Sequence, residues 1–130
     1  MNCILKKEDF IFNKTSYLSF YECEINGFKL QINKEDFTEE ELVFSGKLLD
    51  LYSENLTKII DACVKSETFK YCYSDEDVHS IDEKLGKPII RRFGNLSVLT
   101  YTEHELDADH LLDIEIKGLY DEILEISIDG

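Results

Sequence analysis

The densest group of possible metal ligands lies between Glu103 and His110, where the sequence reads EHELDADH. Its imidazoles, together with the carboxylates of Asp107 and Asp109, are donors that suit a divalent cation. His104 and His110 are six residues apart, whereas the zinc-protease helix motif places its histidines at i and i+4. The segment also lacks the glycine and the ligand spacing of an EF-hand loop. Two interpretations stay open: a simple oxygen and imidazole site, or the commoner polar connection between strands.

The four cysteines offer no clear candidate for nucleophilic catalysis. A catalytic cysteine needs a thiolate stabilised by a neighbouring histidine or cation, and none lies in a recognisable motif of that kind. Cys23 and Cys63 fall on predicted core faces. Cys3 lies near the start of the chain, and Cys72 is not assigned to an element. We therefore do not expect cysteine catalysis. Because the sequence shows no other catalytic signature, we predict a protein that is not an enzyme and has no cofactor, with the metal site above as the alternative.

The beginning of the chain predicts an intracellular protein. The stretch MNCILKKEDF has no apolar run of secretory length, and no later segment approaches the ~18 apolar residues of a membrane helix. The cysteines show no close metal-type pairing, so we interpret them as reduced thiols. The expected location is the cytoplasm.

Negative charge is concentrated towards the C-terminus. The formal net charge is −14, from 28 acidic and 14 basic residues. From Glu103 onward, ten acidic residues stand against one basic residue, Lys117, which makes a net charge of −9. Such charge repels phosphate backbones and anionic lipids and favours encounter with basic surfaces. We expect a basic protein partner, with no direct nucleic-acid binding and no membrane binding; the alternative is that acidity only keeps the protein in solution.

The first half of the chain predicts a hairpin followed by a long helix. Asn26-Gly27 is the preferred pair for a type I′ turn between two alternating strands. Thr38 and Glu41 then form a Ser/Thr-x-x-Glu capping box, which starts a helix. The core-facing stripe of this helix, at helical spacing, consists of Leu42, Leu49, Tyr52, Leu56, Ile59, Ile60 and Cys63.

The opposite side of the long helix is also partly apolar. Phe44, Leu48 and Leu51 lie on or near it, so we expect the N-terminal segment or a partner to cover them. Gly46 costs up to about 1 kcal/mol in a helix interior. It therefore predicts either close packing or a break.

The second half predicts a short helix between Ser74 and Leu85, ended by Gly86, and then strands. Two strands flank Gly94-Asn95, a pair suited to a tight hairpin. Two more have strict apolar and polar alternation. The predicted strands are Ile89–Phe93, Leu96–Thr102, and the alternating stretches around Ile114 and Ile126.

This order predicts a single α+β domain over residues 1–130. We expect an antiparallel sheet made of the N-terminal hairpin and a C-terminal four-strand meander. One long helix is expected to pack on one face, with a short second helix. No βαβ unit is predicted.

The uncovered face of the meander is the predicted contact surface for the partner. Carboxylates that project from strands form a fixed acidic surface, and aromatic residues are enriched at binding hot spots, although core packing is the alternative for the tyrosines. The predicted contact residues are Asp113, Glu115, Glu125, Asp129, Glu103, Glu105, Tyr101 and Tyr120.

Arg91 and Arg92 are neighbours in one predicted strand, so one guanidinium points to each face. We expect one of them to pair with a carboxylate of the adjoining acidic strands, since so many lie nearby. The alternative is an anchor for an anionic partner or ligand.

The whole arrangement resembles small uncharacterised bacterial domains, some of them presumed immunity proteins of toxin–immunity systems. The resemblance is carried by the early strand pair with Gly27 in its turn, the long helix with an acidic start, the later hairpin, the acidic linker ending in His110 and the closing strands ending in Asp129-Gly130. It spans roughly residues 17–130 and brings no catalytic residues with it. It implies a non-enzymatic intracellular protein that inhibits a cognate toxin.

Three hypotheses follow. The leading one is an immunity protein that neutralises a toxin through its acidic surface. The second is a divalent-metal-binding enzyme or sensor centred on His104 and His110. The third is an oligomeric adaptor that uses the apolar side of the long helix; the sequence leaves the oligomeric state open.

Overall fold

Seven strands form one continuous sheet in the computed structural model, which describes residues 3–130. They lie side by side in chain order. The strands are β1 (Ile11–Lys14), β2 (Ser19–Ile25), β3 (Phe28–Asn33), β4 (Ile89–Phe93), β5 (Leu96–Tyr101), β6 (Leu111–Lys117) and β7 (Glu122–Asp129). The helices are α1 (Glu39–Lys65), α2 (Glu67–Cys72) and α3 (Val78–Lys84), with 3-10 turns at Lys7–Asp9 and Lys34–Asp36.

The predicted α+β class is confirmed, but the sheet has seven strands and is not antiparallel throughout, in contrast to the predicted hairpin plus four-strand meander. The hairpin β2–β3 and the meander β4–β7 belong to one sheet, joined through a parallel β3–β4 pair in which Leu30 lies opposite Ile90. A parallel pair needs a crossover connection, and α1, α2 and α3 together supply it. The sequence pattern missed this βαβ-type connection because the pairing joins residues far apart along the chain. It also missed β1, whose four residues are too few to show a clear alternation.

The turn at Asn26-Gly27 has the predicted geometry. Both residues have positive φ, 52° and 84°, as a type I′ turn requires. Cys23 lies opposite Leu30, and Ile25 lies opposite Phe28. The expected register of the hairpin is confirmed, and it sends these four residues towards the core.

Helix α1 begins at the predicted cap and buries the predicted stripe. The Thr38 hydroxyl accepts a hydrogen bond from the Glu41 amide at 3.1 Å. Of the seven stripe residues, only Leu56 is half-buried, and the others are buried. The other half of the capping box is replaced, because the Glu41 carboxylate turns into the core.

The N-terminal segment lies against the far side of α1. The Cys3 amide donates to both carboxylate oxygens of Asp50, at 2.9 and 2.8 Å. A β-carbon at position 46 would collide with the Cys3 carbonyl oxygen. Gly46 therefore marks close packing, one of its two predicted roles. Leu48 is fully buried, while Phe44 and Leu51 are half-buried, so the apolar surface that an adaptor would use is largely covered.

No helix in the described part of the chain is both long enough and apolar enough to cross a membrane.

Candidate functional site

The sheet has one face covered by helices and one open face. Along β6, Leu112, Ile114 and Ile116 are fully buried, whereas Asp113 and Glu115 between them are half-buried. Successive residues of a strand point to opposite faces, so the two carboxylates lie on the open face. The pairing of all seven strands places one continuous row of residues across that face: Ile11, Glu22, Gln31, Arg91, Val98, Glu115 and Glu125.

Four predicted contact residues, Asp113, Glu115, Glu125 and Asp129, come together at the β6–β7 end of the open face. We call them the acidic ridge. Glu115 lies directly opposite Glu125, and like charges in that position destabilise a sheet. Within residues 3–130, Glu115, Glu125 and Asp129 take part in no ion pair. The ridge therefore presents three uncompensated carboxylates on a hydrogen-bonded sheet.

The fourth member of the ridge, Asp113, is held by its neighbours. The Thr100 hydroxyl donates to Asp113 Oδ1 at 2.6 Å, and Arg91 Nη2 donates to the same hydroxyl at 3.2 Å. Arg91 Nη2 also lies 3.8 Å from Asp113 Oδ1. The expectation that one of the two arginines pairs with a carboxylate of the acidic strands is confirmed. Arg91 thus compensates one end of the ridge and leaves Glu115 and Glu125 without a counter-charge.

Arg92 points to the helix-covered face and forms a buried pair that the sequence pattern did not reveal. Its Nε and Nη2 each donate to a different oxygen of Glu41, both at 3.0 Å. Further donations go to the carbonyls of Leu96 and Gly94 and to the Ser97 hydroxyl. The guanidinium carbon lies 4.2 Å from the centre of the Phe44 ring. Arg92 therefore joins the start of α1 to the β4–β5 hairpin and is not a site for a partner.

Tyr101 and Tyr120 lie in the core and not on the contact surface. Their hydroxyls are satisfied internally: that of Tyr101 lies 2.6 Å from the Tyr52 hydroxyl, and that of Tyr120 donates to the Leu48 carbonyl at 2.8 Å. Burial raises the pKa of both tyrosines well above its ordinary value. The prediction of exposed anchors is wrong here, because residues next to an acidic stretch in sequence need not share its face.

The segment from Glu103 to His110 is a polar connection whose histidines are already occupied. The buried His104 accepts from the Leu106 amide at Nδ1, at 3.1 Å, so its proton lies on Nε2, which donates to the His110 carbonyl at 2.8 Å. Glu103 and Glu105 are exposed on this connection, away from the strand positions of the acidic ridge.

Asp107 organises the second half of that connection. Its carboxylate accepts from the Tyr73 hydroxyl and pairs with His110 Nδ1, both at 2.8 Å, and it also accepts from the amides of Asp109 and His110. Desolvation acts to raise the pKa of Asp107, but these hydrogen bonds outweigh it and hold the pKa well below its usual range. Among residues 3–130, no three histidine, cysteine or acidic side chains are placed to hold a metal ion. His104, Asp107, Asp109 and His110 therefore lie in a hydrogen-bonded connection between β5 and β6.

Three of the four thiols have a raised pKa, which is the opposite of activation. All four cysteines are free. Burial raises the pKa of Cys23 to about 11 and that of Cys63 to about 12. Desolvation, with the nearby Asp50 carboxylate, also raises the pKa of Cys3. Thiolates are therefore disfavoured at these three positions.

No family model, curated protein or solved structure matches this chain.

Proposed function

We propose that this chain is a non-enzymatic binding protein whose acidic ridge occupies a basic site on another protein. The observation that carries the proposal is the direct opposition of Glu115 and Glu125 on the open face, with no counter-ion in the described chain. A basic partner would relieve their mutual repulsion as it binds. Opposite charges on the two surfaces also steer and accelerate encounter.

The class of partner follows from the resemblance to presumed immunity proteins, which implies a cognate bacterial toxin. A toxin that acts on an anionic substrate has a basic substrate site, and a fixed acidic surface can cover it. The proposed location is the cytoplasm, since free thiols are typical of reducing compartments.

The test is capture of the partner from native lysate by the tagged chain at low and at high salt. The key variant carries Glu115→Lys and Glu125→Lys, because it keeps a like-charge pair in the sheet and inverts only the sign presented to a partner. The matched control carries Asp82→Lys and Glu83→Lys, two exposed acidic positions on α3.

The wild type and the α3 control are expected to retain one basic protein that high salt releases, because exposed charges are screened. The ridge variant is expected to lose it. Retention of the same protein by the ridge variant would contradict the proposal.

A further inference from the structure

The outer edge of β7 makes no backbone pairing within the described residues, while helix α2 packs close to the strand. In the part of the chain that the structure describes, β7 is the last strand of the sheet and pairs with β6 alone. It has eight residues, against four in β1 at the opposite edge. An edge strand leaves a row of backbone N–H and C=O groups without partners. Such an edge is a template to which an extended segment can add as a further strand.

A bulge at Leu124 limits regular strand pairing along β7 to the residues that follow it, Glu125–Asp129. Glu115 lies opposite Glu125 and Ile116 lies opposite Ile123, so Leu124 has no partner residue. Bulges bend a strand and interrupt regular pairing. From Glu125 to Asp129 the pairing is continuous over five residues, a length of about 17 Å.

The two faces of this five-residue segment specify what could pair with it. Glu125, Ser127 and Asp129 project on the open face, while Ile126 and Ile128 are half-buried and pack against the core. An added strand continues both faces. It would place basic residues beside Glu125 and Asp129, and aliphatic residues beside the two isoleucines.

The same edge disfavours a second copy of this chain. Antiparallel pairing of two copies about Ser127 would set Glu125 of each copy opposite Asp129 of the other. Like charges directly opposite destabilise a sheet, and each chain also carries a net charge of −14. The edge therefore discriminates against self-pairing and in favour of a basic strand.

We propose that the partner is held by strand addition: an extended basic segment with alternating aliphatic residues pairs with Glu125–Asp129. This inference rests on the proposed function and adds the manner of binding to it. The acidic ridge supplies the charge that selects the segment, and the β7 backbone supplies the hydrogen bonds that hold it.

The probe is a capped peptide, Ser-Lys-Val-Thr-Val-Lys-Ser, titrated into the full chain while the backbone amides of Glu125–Asp129 are followed by NMR. Two further peptides carry N-methyl groups on one or the other alternating set of residues. N-methyl groups on the side of the peptide that faces β7 remove its hydrogen bonds to β7, whereas N-methyl groups on the other side of the peptide remove none. All three peptides have the same charge.

Strand addition predicts that one methylated peptide binds at least about tenfold more weakly than the parent, since each lost hydrogen bond is worth about 0.5–1.5 kcal/mol. The other is expected to bind like the parent. Glu125→Lys with Asp129→Lys is expected to weaken the parent peptide as well, whereas Asp82→Lys with Glu83→Lys is not.

Equal binding of both methylated peptides would overturn strand addition, as would failure of the parent peptide to bind. Neither result touches the proposed function, which the capture of a partner by the Glu115 and Glu125 variant decides separately. If the ridge variant still captures the partner, the proposed function fails whatever the peptides do.

Discussion

The two faces of the sheet differ in whether their carboxylates are paired with a positive charge. On the helix-covered face, Glu41 is buried and both of its oxygens are matched by Arg92. On the open face, Glu115 lies opposite another carboxylate, Glu125, and has no ion-pair partner within residues 3–130. A buried charge must be compensated because its desolvation is expensive. An exposed like-charge pair costs far less, so the fold tolerates it.

The largest change in the free energy of unfolding is expected from removing the buried acid, Glu41. Glu41→Ala leaves the Arg92 guanidinium buried without its counter-charge, and we expect a loss of about 3–5 kcal/mol in the free energy of unfolding. Urea denaturation measures it. The control is Glu40→Ala at the exposed neighbouring position, with an expected change within about 0.5 kcal/mol. A loss below about 1 kcal/mol for Glu41→Ala would mean that the pair is not buried as described.

A smaller loss of stability is expected at Thr100, which links Arg91 to Asp113 on the open face. Thr100→Val removes the hydroxyl that bridges Arg91 and Asp113. We expect a loss of about 1–2 kcal/mol, because two hydrogen bonds to charged groups disappear while part of both groups stays accessible to water. The control is Thr102→Val at an exposed position. If the two variants unfold at the same urea concentration, the bridge contributes nothing.

The uncompensated pair itself predicts a gain in stability. Glu125→Gln removes the repulsion with Glu115 and is expected to raise the free energy of unfolding by about 0.2–1 kcal/mol, more at low salt than at high salt. Glu122 is the matched control on the same strand, because it lies opposite Lys117. Glu122→Gln removes an attraction and should give no gain. Stabilisation by both variants would point to total charge and not to the ridge.

The smallest effect is expected at Asp107, which lies close to solvent. Its pKa is lower in the folded chain than the value of about 3.9 for an unfolded aspartate. Its contribution is therefore complete above that unfolded pKa and is lost as the pH falls below it. Asp107→Asn should lose less stability than the wild type between pH 5 and the acid limit of folding, measured by urea midpoints. Parallel curves for the two proteins would contradict the depressed pKa.

Much of the local structure could be predicted because near neighbours along the chain determine it. Asn26-Gly27 sets the register of β2 and β3, and the Thr38 cap sets the start of α1. The alternation along β6 and β7 correctly placed Asp113, Glu115, Glu125 and Asp129 on one face. Each of these signals depends on residues within a few positions of one another.

The candidate site was predicted only in part. The sequence pattern identified the acidic ridge but not the opposition of Glu115 to Glu125, which depends on the register and on the bulge at Leu124. It put Tyr101 and Tyr120 among the contact residues, although they lie in the core. It kept a metal site open at His104, whose ring nitrogens both contact the backbone.

The sequence by itself determined the elements, the capping and turn residues, and the sign of the charge towards the C-terminus. The tertiary structure alone decided that β3 and β4 pair in parallel, that Arg92 meets Glu41 and that Arg91 meets Asp113. The physical reason is the separation along the chain of the residues that interact. Helical and strand periods report which side of an element is apolar, whereas long-range pairing and charge compensation arise only when elements distant in the chain pack together.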